Sequence, residues 1–182
     1  MQRILVAGIS GVGKSTLSRR LAARLGVPFI ELDALYHGPN WQPVPTFVED
    51  VDAISSTDAW VIDSHGYPEV RDLLWDRADT VVWLDYPRRI VMTRVLRRSI
   101  ARTLLRRKLF NGNREQLRHW FYTTHPARWA WRSYHRRRAD MVSRLDNPRW
   151  AHLAALHFRH PDQTAIWLDS IPVQAAPEPI HV

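Results

Sequence analysis

The chain lacks cysteine altogether, and its 182 residues contain no long apolar run. The absence of cysteine excludes disulfide bonds, thiol catalysis and cysteine metal centres. A membrane-spanning helix needs about 20 mostly apolar residues, and no segment here approaches that length. An apolar, strand-like segment begins within three residues of Met1, so we expect no signal peptide and a cytoplasmic location. A chain of this length predicts one domain.

Acidic residues are nearly absent from the segment 88–138. This segment contains 16 arginines and lysines but a single acid, Glu115, whereas the whole chain carries a net charge of +8. The rest of the chain is therefore net negative. A basic block of this density suits polyanions, either a nucleotide triphosphate or a nucleic acid.

The sequence does contain a glycine-rich loop between an apolar segment and a helical pattern. Residues 8–15, Gly-Ile-Ser-Gly-Val-Gly-Lys-Ser, match G-x-x-x-x-G-K-[ST]. In this arrangement backbone N–H groups surround a phosphate at the positive end of the next helix. Lys14 is expected to bridge the β- and γ-phosphates and Ser15 to bind Mg²⁺. The alternative is a plain glycine turn. The predicted nucleotide contacts in this stretch are Gly8, Ser10, Gly11, Val12, Gly13, Lys14, Ser15 and Thr16.

Short apolar segments alternate with helical patterns along the chain. Strands are predicted at 3–7, 28–32, 59–62, 80–84 and 153–158. Helices are predicted at 15–25, 46–55, 68–75, from 87 to about 111, 126–145 and 161–171. Strands that alternate with helices form parallel sheets covered on both faces. The sequence therefore predicts an α/β fold, a three-layer P-loop NTPase architecture with a five-stranded parallel sheet.

The predicted elements fall into one domain over residues 1–171. We expect an arginine-rich lid at about 109–126, because this stretch lacks apolar periodicity and lies within the basic block. The tail, 172–182, contains three prolines and little that could pack, so we expect it to be disordered. Within the domain, Thr46 and Glu49 fit a capping box at the start of a helix.

Aspartates follow three of the predicted strands, at positions 33, 63 and 85. The carboxyl ends of parallel strands face one crevice, and ligands bind there. Asp63 is a candidate for holding Mg²⁺ through water, because phosphoryl transfer needs a metal that bridges the β- and γ-oxygens. Each of the three aspartates could instead be a turn or helix-capping residue.

Two arginines of the basic block stand at helical spacing. Arg94 and Arg98 lie on one face of the predicted helix, where one could stack on adenine and the other contact phosphate. Cations around the transferred phosphoryl group carry much of the catalysis in such reactions. The alternative is a solvent-facing surface. Among Arg128, Arg132 and residues 136–138, spacing does not say which reach the triphosphate.

These features resemble the P-loop small-molecule kinases, specifically the adenylate-kinase-like group. Residues 60–63, Trp-Val-Ile-Asp, resemble the third-strand aspartate motif of adenylate kinases. Residues 85–87, Asp-Tyr-Pro, resemble their fourth strand, with Arg94 and Arg98 on the helix that opens the lid. The segment 110–115, Phe-Asn-Gly-Asn-Arg-Glu, is similar to a bacterial branch described as topology modulation proteins or adenylate kinases.

One segment departs from the adenylate kinase pattern. After the aspartate of the third strand, adenylate kinases continue with Gly-Phe-Pro-Arg, whereas residues 64–67 here are Ser-His-Gly-Tyr. The arginine that grips the acceptor phosphate is therefore missing from that place. This departure argues against AMP as the acceptor.

The resemblance implies ATP and Mg²⁺ as cofactors and assigns roles to several residues. In similar sugar and shikimate-type kinases, an acid at the place of Asp33 orients the acceptor hydroxyl or a Mg²⁺-bound water. His37 and Trp41 follow in a loop that we expect to contact the acceptor. Ser15 and Asp63 would hold the metal. The expected catalytic residues are Lys14, Asp33, Asp63, Arg94 and Arg98.

The expected function is ATP-dependent transfer of the γ-phosphate to a small molecule. The acceptor is either a nucleoside monophosphate or a hydroxylated metabolite, and we expect a monomer or weak dimer with no membrane partner. The alternative is a nucleic-acid-associated P-loop ATPase or DNA topology modulation protein. The basic block favours that alternative, whereas the absence of a helix-turn-helix or comparable module disfavours it.

Overall fold

The computed structural model describes residues 1–63, 67–104 and 126–173, and in the ranges 98–104 and 126–130 it describes only the backbone. The expected lid at about 109–126 and the expected disordered tail at 172–182 lie almost entirely outside the described residues.

Five parallel strands in the described part of the chain form one sheet in the order β2-β3-β1-β4-β5. The strands are β1 (Arg3–Gly8), β2 (Phe29–Ile30), β3 (Trp60–Ile62), β4 (Thr80–Leu84) and β5 (Ala154–Phe158). The central strand is β1, in which Ile4 pairs with both Val61 and Thr80. The predicted α/β fold with a five-stranded parallel sheet is confirmed.

Seven α-helices connect and cover these strands in the described ranges. They are α1 (Lys14–Leu25), α2 (Leu32–Tyr36), α3 (Phe47–Ser55), α4 (Arg71–Arg77), α5 (Arg88–Leu104), α6 (Pro126–Leu145) and α7 (Pro161–Ser170). Two short 3₁₀ turns occupy Pro39–Trp41 and Pro148–Trp150. No helix among the described residues is both long and apolar enough to cross a membrane.

Side chains along the strands alternate between two cores, one on each face of the sheet. In β1, Ile4 and Val6 pack in the core under α1, α5 and α7, whereas Leu5 and Ala7 pack in the core under α2, α3 and α4. All four side chains are essentially inaccessible to solvent. Strands buried on both faces are apolar at every position, which explains why this run predicts a strand. Three layers result, with the glycine loop at the carboxyl edge of the middle layer.

The second strand is shorter than the sequence predicts. The expectation of a strand over 28–32 is wrong beyond Ile30, because the chain turns at Glu31 into α2. The Leu32 N–H donates to the carboxylate of Asp63 at 3.3 Å rather than continuing the sheet. Asp33 therefore lies in the first turn of a short helix and not directly after a strand.

The predicted capping box of α3 does not form. The Thr46 hydroxyl donates to the side chain of Asp50 at 2.8 Å, and no side-chain hydrogen bond caps the helix. The helix still begins at Phe47, whose ring is buried. Packing of the apolar face fixes this helix, and packing is the usual source of helix stability in proteins.

The helix predicted at 68–75 begins three residues later, at Arg71. The Val70 N–H donates to the Tyr67 carbonyl at 3.1 Å, so residues 67–70 form a turn before the helix starts. This turn places Tyr67 at the carboxyl edge of the sheet, a few residues after Asp63.

Candidate active site

The glycine loop lies between β1 and α1 and packs against α5. Gly8 and Gly11 have φ angles of 148° and 85°, which side chains rarely adopt. A Cβ atom on Gly8 would lie 2.8 Å from the Leu84 carbonyl oxygen, and one on Gly11 would lie 2.1 Å from Val95 Cγ2. The loop therefore needs glycine at both positions for its backbone angles and for the close approach of β4 and α5.

The first turn of α1 follows directly after the glycine loop. Gly13 is the N-cap residue in a left-handed conformation, and no side chain caps the helix. The first N–H groups of a helix have no partner within it, and together with the helix dipole they form a site for an anion. Lys14 is the first residue of this helix, and Thr16 is exposed in the same turn. The geometry fits the phosphate cradle that the sequence predicts.

Ser15 and Asp63 meet at the base of the loop. The Ser15 hydroxyl donates to Asp63 Oδ2, and Asp63 is 7% exposed. Burial raises the pKa of Asp63 to about 6, although the Ser15 hydrogen bond and the charge of Lys14 oppose this rise. The two residues predicted to hold a metal are therefore in direct contact.

This pair fits Mg²⁺ carried by a nucleotide. Among the described residues, no group of three or more His, Cys, Asp or Glu side chains could hold a metal ion. Mg²⁺ binds hard oxygen ligands and commonly takes only one or two from the protein, with phosphates and waters completing the shell. A hydroxyl on Ser15 and a carboxylate on Asp63 supply such oxygens.

Arg94 reaches the glycine loop from α5. Its Nη1 donates to the Val12 carbonyl at 2.6 Å, and its guanidinium lies 5.3 Å from the centre of the Tyr86 ring. The predicted position beside the nucleotide loop agrees with this contact, although the hydrogen bond goes to the main chain. Of Arg98 the structure describes the backbone within α5 and not the side chain. We call residues 8–15, Asp63 and Arg94 the donor side.

A second group of side chains surrounds Asp33. The Tyr67 hydroxyl donates to Asp33 Oδ1 at 2.8 Å and lies 3.4 Å from His37 Nε2. The ring of Trp41 stands edge-on to His37, with 5.2 Å between ring centres. We call Asp33, His37, Trp41 and Tyr67 the acceptor-side cluster. The structure thus brings together the three residues that the sequence predicts for acceptor binding.

The loop that carries Trp41 is closed by its own backbone. His37 and Pro43 form an isolated β-bridge, and the Gly38 N–H donates to the Gln42 carbonyl at 2.7 Å. Trp41 has a φ of 62° and a 40% exposed side chain. A left-handed conformation costs a residue with a side chain roughly 1–2 kcal/mol, so the surrounding hydrogen bonds hold Trp41 in place beside His37.

Tyr67 belongs to the acceptor-side cluster, although the sequence does not predict it there. It contacts the acceptor side from a turn that follows β3, 34 positions after Asp33. The available signal was the departure from the adenylate kinase pattern, because Tyr67 stands where those enzymes have an arginine. Neither periodicity nor spacing relates Tyr67 to Asp33.

Arg137 of α6 links the two sides. It lines a cleft together with Gly8 and Ile9 of the glycine loop, and it interacts electrostatically with Asp33 and Tyr67. Burial lowers the pKa of Arg137, and the positive charges of neighbouring arginines act in the same direction. The sequence does not distinguish among residues 136–138, and the structure places both Arg137 and Arg138 at the cleft.

Its neighbour Arg138 has a different role. Arg138 Nε donates to both carboxylate oxygens of Asp85, at 3.0 and 2.9 Å. Asp85 also lies 3.0 Å from His157 Nε2, and the His157 ring stacks on Trp83. Asp85 therefore ties α6 to the carboxyl ends of β4 and β5, which agrees with a structural role for this aspartate.

The two sides meet at Asp63. One of its carboxylate oxygens accepts from Ser15 on the donor side, and the other accepts from the Leu32 N–H, next to Asp33. The charge of Asp33 also contributes to the raised pKa of Asp63. A phosphate held by the loop would therefore lie close to a group bound at Asp33.

Comparison with known proteins supports the fold and the family. The model of a family described as an AAA domain matches residues 4–116, more than half of the chain. A shikimate kinase from Rhodopseudomonas palustris is 35% identical over 69 residues, which span 38% of this chain and 27% of that enzyme. A bifunctional pantoate ligase/cytidylate kinase from Gloeobacter violaceus is 41% identical over 49 residues, 27% of this chain and 10% of that protein. The chain thus matches only about a quarter or less of the length of these relatives.

Solved structures share the whole architecture at low sequence identity. Shikimate kinase from Acinetobacter baumannii, solved in complex with shikimate, has a TM-score of 0.53 and 16% identity, with 94% of this chain and 90% of that chain covered. Shikimate kinase from Aquifex aeolicus has a TM-score of 0.52 and 15% identity, with 93% and 92% covered. The chain thus has the fold of these shikimate kinases, and by the match over residues 4–116 it belongs to the AAA domain family.

Proposed function

We propose that the protein is an ATP-dependent phosphotransferase that moves the γ-phosphate of MgATP to a hydroxyl group of a small molecule. The observation that carries this proposal is the shared position of Asp63, which contacts Ser15 on one oxygen and the N–H beside Asp33 on the other. A nucleotide bound by the loop and a hydroxyl bound at Asp33 would face each other across this residue.

The proposed reaction is a displacement at the γ-phosphorus. The acceptor oxygen forms a bond to that phosphorus, the bond from the phosphorus to the β,γ-bridging oxygen breaks, and ADP leaves. The proton of the acceptor hydroxyl passes to the Asp33 carboxylate. Lys14 and Arg137 supply positive charge along the path, which stabilises the charge that develops on the transferred group. Ser15 and Asp63 would hold Mg²⁺, and the ion would offset negative charge on the phosphates.

The acceptor-side cluster favours a hydroxylated metabolite over a nucleoside monophosphate. Tyr67 stands where adenylate kinases have the arginine that grips the acceptor phosphate, and its hydroxyl donates to a carboxylate. A hydroxyl that accepts the phosphate must lose its proton, and the Asp33 carboxylate can take that proton. The partial sequence similarity to shikimate kinases makes shikimate the first compound to test.

A screen for ADP release tests this function. Purified protein is incubated with MgATP and a panel containing shikimate, other hydroxy acids, polyols, nucleosides, AMP and CMP. We expect at least one hydroxylated compound to raise ADP formation well above the rate with water alone. Stimulation by AMP or CMP only would contradict the assignment of the acceptor class, and stimulation by none would contradict the proposed function.

A second candidate function, binding of nucleic acid, is favoured by a group of exposed arginines. Many arginines of the described residues pair with acids, as in Arg77 with Asp52 at 2.7 Å and Arg144 with Asp72 at 2.9 Å. By contrast, four exposed arginines of α5 and α6 form no ion pair with any residue in the described ranges: Arg89, Arg97, Arg132 and Arg136. Unpaired guanidinium groups suit phosphate backbones. They also fit the resemblance to topology modulation proteins.

Fluorescence anisotropy with labelled duplex and single-stranded DNA tests this second candidate. Replacing Arg132 and Arg136 together by Glu should weaken binding at least about tenfold and flatten its dependence on salt. The matched control replaces Arg19 and Arg20 of α1 by Glu, which changes the net charge equally. If both double variants bind alike, the arginines of α6 are not a nucleic acid site.

A further inference from the structure

The ring of Tyr67 is fixed by two neighbours. It stacks on Tyr36 with 4.0 Å between ring centres and an angle of 16°, and it stands edge-on to Phe47 at 5.3 Å. Phe47 is itself buried in the core. Aromatic pairs in these arrangements restrict ring motion and stabilise the contact. The position of the Tyr67 hydroxyl is therefore set by packing from α2 and α3.

The Tyr67 hydroxyl has one proton, and the geometry directs it to Asp33. The distance to Asp33 Oδ1 is 2.8 Å, whereas His37 Nε2 lies farther away at 3.4 Å. Burial and the neighbouring charge of Asp33 raise the pKa of Tyr67, so the phenol stays protonated and remains a donor at neutral pH.

This hydrogen bond occupies one oxygen of Asp33 and leaves the other available. Asp33 is exposed, and among the described residues no hydrogen bond to its Oδ2 is found. When a hydrogen bond holds one oxygen of a carboxylate, the position of the second oxygen is defined as well. That second oxygen can accept the proton of an acceptor hydroxyl only if the side chain keeps this orientation.

We infer that Tyr67 is a positioning residue of the acceptor site, which holds the Asp33 carboxylate in the orientation that receives the acceptor hydroxyl. The inference rests on the proposed function. It explains why a tyrosine stands where adenylate kinases have an arginine: the residue at this place orients a carboxylate instead of binding a phosphate. A positioning residue of this kind acts only through Asp33.

A double-mutant cycle tests the role. The variants Tyr67→Phe, Asp33→Asn and the combination are compared with the wild type, with MgATP and either water or shikimate as acceptor. Loss of one hydrogen bond predicts about a tenfold lower kcat for Tyr67→Phe, with an unchanged KM for ATP. The double variant should be no slower than Asp33→Asn alone, because the phenol has no effect without the carboxylate.

Tyr36→Phe is the matched control. It removes a hydroxyl from the stacked partner ring, and this hydroxyl makes no hydrogen bond with the described residues. We expect its kcat to equal that of the wild type. Thermal unfolding of Tyr36→Phe should match that of the wild type, because the stacked rings remain.

Two results would overturn the inference while leaving the proposed function intact. The first is a wild-type kcat in Tyr67→Phe. The second is a double variant whose fold-loss of kcat equals the product of the losses in Tyr67→Phe and Asp33→Asn. A wild-type protein whose ATP turnover is stimulated by no acceptor of the screen would instead contradict the proposed function, and the role of Tyr67 with it.

Discussion

The donor side of the cleft is made mainly of main chain, whereas the acceptor side is made of side chains. Residues 8–15 present backbone N–H groups from one continuous stretch, held by glycines that pack against Leu84 and Val95. The acceptor-side cluster instead combines α2, the turn at Trp41 and the turn at Tyr67. Main-chain donors bind any nucleotide triphosphate, so we expect specificity to reside in the side chains of the acceptor side.

The two sides also differ in charge. The donor side has the positive end of α1 and Lys14, which attract phosphate. The acceptor side has Asp33, whose negative charge adds to the raised pKa of Asp63. A single substitution on either side should therefore affect either nucleotide binding or phosphoryl transfer, and the following variants separate these effects.

The largest expected effect is that of Lys14→Ala. Removing the cation beside the β- and γ-phosphates should abolish most ATP affinity and lower turnover by more than about 10³-fold. Thermal unfolding should change little, because the glycines and the packing of α1 remain. Equilibrium binding of a fluorescent ATP analogue measures the loss. Arg20→Ala is the control, because it removes a cation from an exposed position on the same helix. Equal affinities in the two variants would contradict nucleotide binding at the loop.

Asp33→Asn is expected to affect the acceptor side alone. The substitution keeps the side-chain volume and removes the negative charge. We expect phosphoryl transfer to fall by about 10²- to 10³-fold, with an unchanged dissociation constant for ATP. Both quantities are measured on the same preparation. Full activity with normal ATP binding would assign Asp33 a purely structural role in α2.

The sequence predicts the conformation of the glycine loop well because this geometry is local. The spacing of Gly8, Gly13, Lys14 and Ser15 specifies the loop, and the alternation of apolar and helical segments specifies the sheet. It predicts β2 poorly, because a buried hydrogen bond from the Leu32 N–H to Asp63 ends that strand early. That contact joins residues 31 positions apart in sequence, and no local pattern reveals it.

The acceptor side could be predicted only in part for the same reason. Asp33, His37 and Trp41 lie close together in sequence, and the sequence predicts them as acceptor contacts. Tyr67 and Arg137 reach the cluster through tertiary packing, from the turn after β3 and from α6. Packing brings these side chains to Asp33, and composition and periodicity do not specify that packing.

The next effect concerns stability and pH. In the folded protein the pKa of Asp63 is raised from 3.8 to about 6, so the folded state binds this proton more tightly than the unfolded chain. Stability from this group is therefore greatest below pH 4 and falls as the pH rises from 4 to 6. Without metal, Asp63→Asn should become more stable than the wild type, by at most about 3 kcal/mol at pH 7.

Urea unfolding of the metal-free protein at pH 4, 5, 6 and 7 measures this difference. The free energy gap between Asp63→Asn and the wild type should grow across this range and level off above pH 6. A gap that does not depend on pH would show that Asp63 ionises as an exposed carboxylate does. In that case the Asp63 carboxylate, in contact with Ser15, would not be buried as the structure shows.

The smallest expected effect is that of Arg94→Lys. Lysine keeps the charge but loses the guanidinium geometry that binds the Val12 carbonyl at 2.6 Å. We expect ATP affinity to fall about fivefold, as for the loss of one hydrogen bond, with little change in acceptor affinity. Arg97→Lys, at an exposed position one turn along α5, is the control. If both variants bind ATP like the wild type, Arg94 does not support the donor side.

The fate of the γ-phosphate tests the central claim most directly. The wild type and Asp33→Asn are incubated with γ-labelled ATP and the hydroxylated compound that most stimulates ADP release, and the products are separated. The structure predicts label in an organic phosphate ester with the wild type, and loss of that ester with Asp33→Asn while the nucleotide still binds. Two results would contradict the claim that the donor side and the acceptor side cooperate across Asp63. One is label found only in inorganic phosphate, and the other is an ester that both proteins form equally fast.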